Sequence, residues 1–237
     1  MKPLELAKQF MKKGADFICV TAVAFSFSAC NPPAAVETKE ETAPVESAPQ
    51  EDTRPVILFL GDSLTAGYQL DPAQAFPAHI QRFIDGNHMS FQVVNAGVSG
   101  DTSLDGLNRL DWLLTQPVHT LVLALGANDG LRGQPASFTR QNLMAICERA
   151  RELYPAIRLV VAGMKMPANY GEPYRSEFEK LFAEVADECN AVFIPFILED
   201  VAGQPALNMA DGIHPNPDGH RVIARTVWPY IQEALAQ

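Results

Sequence analysis

The chain has 237 residues, 47% of them hydrophobic and 19% charged, with a formal net charge of -10. That composition suits one globular domain with some additional sequence. The acidic balance argues against nucleic-acid binding, which needs clustered Lys and Arg against phosphate, and no apolar run reaches the roughly 18 residues of a membrane-spanning helix.

The N-terminal part stands apart. Lys12 and Lys13 precede an apolar run over residues 17–27, which closes on Ser28-Ala29-Cys30. A positive start, a short apolar stretch and a small-residue exit describe an export signal over residues 1–30, with Met11 as the expected true start. The run resembles a bacterial lipoprotein signal, and that resemblance implies lipidation of Cys30 and attachment to the membrane through it. With Asn31 rather than Asp next in line, it also implies the periplasmic side of the outer membrane. A plain secretory signal or an N-terminal helix that stays attached are the alternatives. Residues 31–54 carry Pro32, Pro33, Pro44 and Pro49 among many Ala and Glu, with no aromatic residue. Such a segment buries too little apolar surface to offset its ordering entropy and reads as a tether. The folded domain is then expected over residues 55–237.

Within that domain, residues 56–60 read as a first strand, followed by a helix that places Phe76, Ile80, Phe83 and Ile84 on one face. Residues 91–95 and 120–124 read as the next strands. A helix follows with Leu143, Ile146, Cys147, Ala150 and Tyr154 on its apolar stripe. Residues 158–162 give a fourth strand, Phe178, Leu181, Phe182, Val185 and Cys189 a further helical stripe, residues 191–193 a fifth strand and residues 218–236 a closing helix. The strands are nearly all apolar, as expected of strands covered on both faces. Alternation of β and α at this spacing predicts an α/β fold with a parallel sheet and helices on both sides. Cys147 and Cys189 read as buried free thiols, with a disulfide as the alternative in an exported protein.

Active residues of such sheets sit just beyond the C-terminal ends of the strands. The polar clusters fall there: Gly61-Asp62-Ser63 after the first strand, residues 97–102 after the second, residues 126–129 after the third. At a strand-to-helix turn the N–H of Ser63 and the helix dipole favour negative charge, which suits a nucleophile that generates an oxyanion. A helix N-cap is the competing reading of the same serine. Asp211-Gly212-Ile213-His214-Pro215-Asn216-Pro217 decides between them. In this turn a carboxylate can hold the imidazole three residues on, fixing its tautomer as activation of a hydroxyl requires. His79, His88 and His119 read as structural, and the last helix is expected to carry His220 away from Asp211. Gly100 allows close approach of a carbonyl oxygen to its N–H, and the Asn128 carboxamide offers two donors.

In this order these segments resemble the blocks of the SGNH (GDSL-type) hydrolase family. Gly61-Asp62-Ser63-Leu64 matches the GDSL block, Gly100 the glycine block, Gly126-Ala127-Asn128-Asp129 the GxND block and Asp211-Gly212-Ile213-His214 the DxxH block. The resemblance implies a flavodoxin-like three-layer sandwich with a five-stranded parallel sheet. It implies Ser63, His214 and Asp211 as catalytic residues, the Ser63 N–H, Gly100 N–H and Asn128 amide as oxyanion donors, and neither metal nor cofactor. Residues 61–68, 99–103, 128–133 and 166–171 look closest to the bacterial periplasmic thioesterase/lysophospholipase and arylesterase branch, although Ala127 stands where that branch commonly has a second glycine. From that branch follow contacts to substrate from Leu131, Arg132, Gly133 and Pro167 and a small acyl ester or lysolipid as partner; a monomer is the expectation, with nothing in the sequence that reads the oligomeric state. Three rival readings are a polysaccharide deacetylase of the same fold, a lipidated binding protein with a vestigial site, and a metallohydrolase using Asp211, His214 and His220.

Overall fold

The computed structural model of the protein describes residues 52–236. The expected signal, Cys30 and residues 31–51 of the expected tether lie outside the described residues. Arg54 already donates to the Phe91 carbonyl at 3.1 Å, so packing begins slightly ahead of the expected boundary at residue 55.

The elements run β1 (Val56–Gly61), α1 (Ser63–Ala66), α2 (Phe76–Gly86), β2 (Gln92–Gly97), α3 (Ser103–Leu113), β3 (Val118–Ala124), α4 (Ala127–Leu131), α5 (Ala136–Leu153), β4 (Arg158–Ala162), α6 (Glu172–Glu188), β5 (Val192–Ile194) and α7 (Pro217–Ala236). The strands form one five-stranded parallel sheet in the order β2-β1-β3-β4-β5. In β1, Ile57 and Phe59 point to one face and Leu58 and Leu60 to the other, yet all four are at most 2% exposed. A strand buried on both sides needs helices on both sides. One layer pairs α2 with α7; the other packs α3, α5 and α6 together. Phe59 meets Phe76 of α2 edge-on at 5.5 Å between ring centroids, and truncating such a buried ring to Ala costs about 3–5 kcal/mol.

The expectation of full coverage fails at β2, whose residues are mostly half-buried and include an exposed Asn95. It is an edge strand, flanked only by β1. Cys147 and Cys189 are free and buried. The Cys189 thiol donates to the Met144 sulfur at 3.5 Å, and the neighbouring Cys189 thiol together with burial pushes the Cys147 thiol up.

The strand order also positions the site. From β1 the chain steps to β2 on one side, then builds β3, β4 and β5 on the other. The crevice at such a reversal lies between the C-terminal ends of β1 and β3. The turns after these two strands carry Ser63 and Asn128.

Candidate active site

β1 runs straight into α1 with Ser63 as its first residue. The turn is tight enough that a Cβ on Gly61 would fall 1.9 Å from the Thr65 hydroxyl, so glycine is required by close approach. Asp62 caps the helix, its Oδ1 accepting from Leu64 N at 2.9 Å. The N-cap is therefore Asp62, and the Ser63 hydroxyl is free for other work.

That hydroxyl meets His214: Nε2 lies 3.1 Å from Ser63 Oγ. On the other side of the ring, Nδ1 lies 2.7 Å from Asp211 Oδ2. Asp211 Oδ1 accepts from Ile213 N at 2.9 Å and His214 N at 3.0 Å, which folds the loop around the carboxylate. The hydrogen bond with the His214 ring, helped by these backbone donors, holds the Asp211 carboxyl down at about 2. The loop is closed by Met209 N donating to the His214 carbonyl at 2.8 Å. An acceptor at Nδ1 favours a proton there and turns the Nε2 lone pair towards the hydroxyl.

His220 sits elsewhere. It is buried on α7, stacked on Phe76, and its Nδ1 accepts from Phe76 N at 3.1 Å. Burial, with smaller repulsion from His79 and His214, lowers it to about 4, so it is a neutral acceptor of the core at neutral pH.

Gly100 has φ of +90° in open space, a conformation that favours glycine. Asn128, in the first turn of α4, directs Nδ2 to the Asp101 carbonyl at 2.9 Å and faces Asp62 Oδ2 at 3.4 Å. Asp101 pairs with Arg109 at 2.7 Å, and Arg109 also donates to the Gly61 carbonyl at 3.1 Å. Beside Asn128, the buried Asp129 accepts from Ser103 N at 2.8 Å and Ser103 Oγ at 2.5 Å, and Asn142 donates to that hydroxyl at 2.9 Å. These bonds tie the turn after β3 to the start of α3. Burial pushes the Asp62 carboxyl up to about 7, against the lowering effect of Leu64 N–H and His214.

A cavity of about 620 Å³ opens beside Ser63, Asn128 and His214, walled by Leu131, Met164, Met166, Pro167, Phe196, Leu198 and Ile213. Of the expected substrate contacts, Leu131 and Pro167 are in this wall. Arg132 and Gly133 are not, and Arg132 instead donates to the Gly100 carbonyl at 2.9 Å. Lys165 at the rim is engaged by Glu179 at 3.5 Å and by the Phe196 ring at 4.9 Å. A larger hollow of about 980 Å³ lies at the opposite end of the strands, between Arg54, Trp112 and Tyr154, far from Ser63 in the fold.

Sequence reasoning missed Tyr68, whose ring packs against the His214 imidazole, Asp62 as a contact of Asn128, and the Met164, Met166, Phe196 and Leu198 wall. The Met-Pro segment after β4 was visible as a likeness, but nothing in it signals that its methionines face the cavity.

The GDSL-like Lipase/Acylhydrolase family matches residues 59–222. The chain is 35% identical to "Esterase TesA" of Pseudomonas aeruginosa, covering 78% of this chain and 92% of that protein. It is 40% identical to "Thioesterase 1/protease 1/lysophospholipase L1" of Escherichia coli, over 71% of this chain and 79% of that protein. Among solved structures, the psychrotrophic esterase EstA from Pseudoalteromonas sp. superposes with a TM-score of 0.72 at 32% identity, over 77% of this chain and 99% of that one. With its family match across the whole Ser63–His214 span, the chain belongs to the GDSL-like lipase/acylhydrolase family.

Proposed function

We propose that the chain hydrolyses carboxylic esters of aryl alcohols and lysolipids, and acyl thioesters, through an acyl-enzyme on Ser63. The observation that carries this reading is the unbroken relay of 3.1 Å from Ser63 Oγ to His214 Nε2 and 2.7 Å from His214 Nδ1 to Asp211. Ser63 Oγ attacks the carbonyl carbon while its proton passes to His214 Nε2. The resulting oxyanion is held by Ser63 N–H, Gly100 N–H and the Asn128 amide. His214 then gives its proton to the leaving oxygen or sulfur, and the acyl group stays on Ser63. Water attacks that ester, passing its proton to His214; the bond to Ser63 Oγ then breaks, Oγ takes the proton back from His214, and the acid leaves. Asp211, charged throughout, holds the ring and balances the imidazolium.

The cavity wall favours an acyl chain over a sugar, since Met164, Met166, Phe196 and Leu198 offer apolar contact beside the nucleophile. Names of the relatives, which include arylesterase and lysophospholipase, point the same way. A panel of aryl esters, acyl thioesters, lysophospholipids and acetylated sugars tests this. Turnover of acetylated sugars above all acyl and aryl esters would replace the proposal with the deacetylase reading.

Export, with lipidation of Cys30, completes the proposal and rests on the Lys12-Lys13 start, the apolar run and Cys30 alone. Intact mass of the native protein tests it: an N-terminal lipidated Cys30 is expected, and an unmodified Cys30 contradicts it.

A further inference from the structure

The turn after α4 is held by side chains from a distant part of the chain. Gln134 N goes to the Asp129 carbonyl at 2.9 Å, and four places after Leu131 stands Pro135, which has no N–H. The Leu131 carbonyl is left without a donor from its own turn, as the last carbonyls of a helix are. Tyr170 supplies one, its hydroxyl donating at 2.8 Å. Gln134 repeats the pattern. Phe138 N and Thr139 N both go to the Pro135 carbonyl, at 3.0 and 3.3 Å, and the Gln134 carbonyl takes the Tyr174 hydroxyl at 2.7 Å. A phenol has one proton to give, and both are used on this turn; the Gly130 carbonyl, 3.4 Å from Tyr174, accepts from Gly133 N at 3.0 Å instead.

The two hydroxyls are firmly mounted. Tyr170, Tyr174, Phe178 and Phe182 recur every four residues, with successive ring centroids 6.2, 5.7 and 5.5 Å apart, and both phenylalanines are fully buried. The turn they hold carries Leu131 of the cavity wall, and Tyr170 itself follows closely on Met164, Met166 and Pro167 of the same wall. The two segments meet where a Cβ on Gly130 would fall 2.3 Å from the Met166 sulfur. An acetyl group ends one methyl beyond its carbonyl carbon, whereas a longer acyl chain must run along this wall, and each methylene against a fixed apolar surface adds to binding.

We propose that Tyr170 and Tyr174 are specificity-determining residues whose hydroxyls hold residues 131–134 in place and so set the width of the cavity along which a medium-length acyl chain lies. This rests on the reading above, in which the cavity beside Ser63 takes the acyl group. Neither tyrosine lines that cavity; both act through the position of Leu131. They govern the fit of a long chain and leave the chemistry at Ser63 alone, and the class they favour is the ester or thioester of a medium-chain fatty acid over an acetate.

The test is the chain-length dependence of the full protein on p-nitrophenyl acetate and p-nitrophenyl octanoate, reading kcat, KM and the thermal midpoint. Tyr170→Phe and Tyr174→Phe keep each ring in its stack and delete only the hydroxyl. In each, KM for the octanoate should rise about 3–10-fold, the worth of one hydrogen bond, with kcat within about twofold and the acetate kinetics within about twofold. Leu131→Ala should give the same split between the esters. Tyr170→Phe added to it should cost less than about twofold more, because the wall that the hydroxyl held is gone. Equal losses on both esters, or a fall in kcat alone, make the tyrosines structural and overturn the inference. So do parental or lower KM on the octanoate in both Phe variants, unfolding of both, or a full, independent loss when Tyr170→Phe is added to Leu131→Ala. A parent that turns over the acetate better than the octanoate is a different failure: it removes the acyl chain from the cavity and takes the inference with it.

Discussion

The ring of Tyr68 lies against the imidazole of His214, with centroids 4.3 Å apart and planes inclined by 33°. Tyr68 reaches this place because the chain turns back directly after α1, its N–H donating to the Ser63 carbonyl at 3.1 Å. The imidazole is thus held at Nδ1 by Asp211 and covered on one face by Tyr68. An aromatic contact of this kind contributes about 0.5–1.5 kcal/mol. Tyr68→Ala should therefore lower kcat by about 2–12-fold, while Tyr68→Phe, which keeps the ring, should stay within about twofold. A loss in Tyr68→Phe equal to that in Tyr68→Ala would place the effect in the hydroxyl instead.

Asn128→Ala separates catalysis from folding. One half-buried carboxamide at the start of α4 adds little to a core built on Phe59, Phe76, Phe178 and Phe182. The thermal midpoint should hold within a few degrees, about 1 kcal/mol for a domain of this size, while kcat falls about 10²–10³. If activity fell only in step with the folded fraction, Asn128 would be a structural residue.

Asp211→Asn tests the orientation of the base. The carboxyl, held at about 2, stays charged at every pH near neutrality, so its role is to accept from Nδ1. An asparagine amide can donate to that nitrogen and hold the wrong tautomer, and kcat should fall by about 10⁴. A loss below about tenfold would mean that the loop alone orients His214.

His220 gives a prediction on stability. In the folded protein it titrates at about 4, against an ordinary value of 6.5. The unfolded chain therefore takes up this proton first as pH falls. The stabilisation by neutral His220 is fully present above about 6.5 and is lost on descent to about 4, by up to about 3 kcal/mol. The raised Asp62 carboxyl has the opposite sign: it favours the folded state at low pH and loses that contribution as pH rises towards about 7. Comparing the parent with His220→Gln at each pH cancels the Asp62 effect. The stability gap from urea melts should narrow from pH 7.5 to pH ~4.5; a gap independent of pH would show that His220 is not held neutral.

Much of the fold and site was legible because it rests on local chemistry. The apolar run of β1 and the Gly61-Asp62-Ser63 turn announce a buried strand that ends at a helix start. Asp211 and His214 are close because three residues of a Gly- and Pro-bounded loop leave them little choice. What stayed hidden depends on contacts between distant segments. Edge or centre is a matter of strand order, so the coverage of β2 was misjudged. Arg132 was expected at the substrate, but the Gly100 carbonyl, 32 residues earlier, claims its guanidinium. Residues 127–131 form the short helix α4 although Asn128, Asp129 and Gly130 are poor helix formers, because the buried Asp129–Ser103–Asn142 bonds anchor it from outside.

The central claim is that Ser63 and His214 act as one unit, and the kcat values of Ser63→Ala, His214→Ala and the double variant test it most directly. Each single change should lower kcat by at least about 10⁴, and the double variant should be scarcely worse than either. Losses that multiply in the double variant would contradict the account, because a nucleophile and the base 3.1 Å from it cannot fail independently.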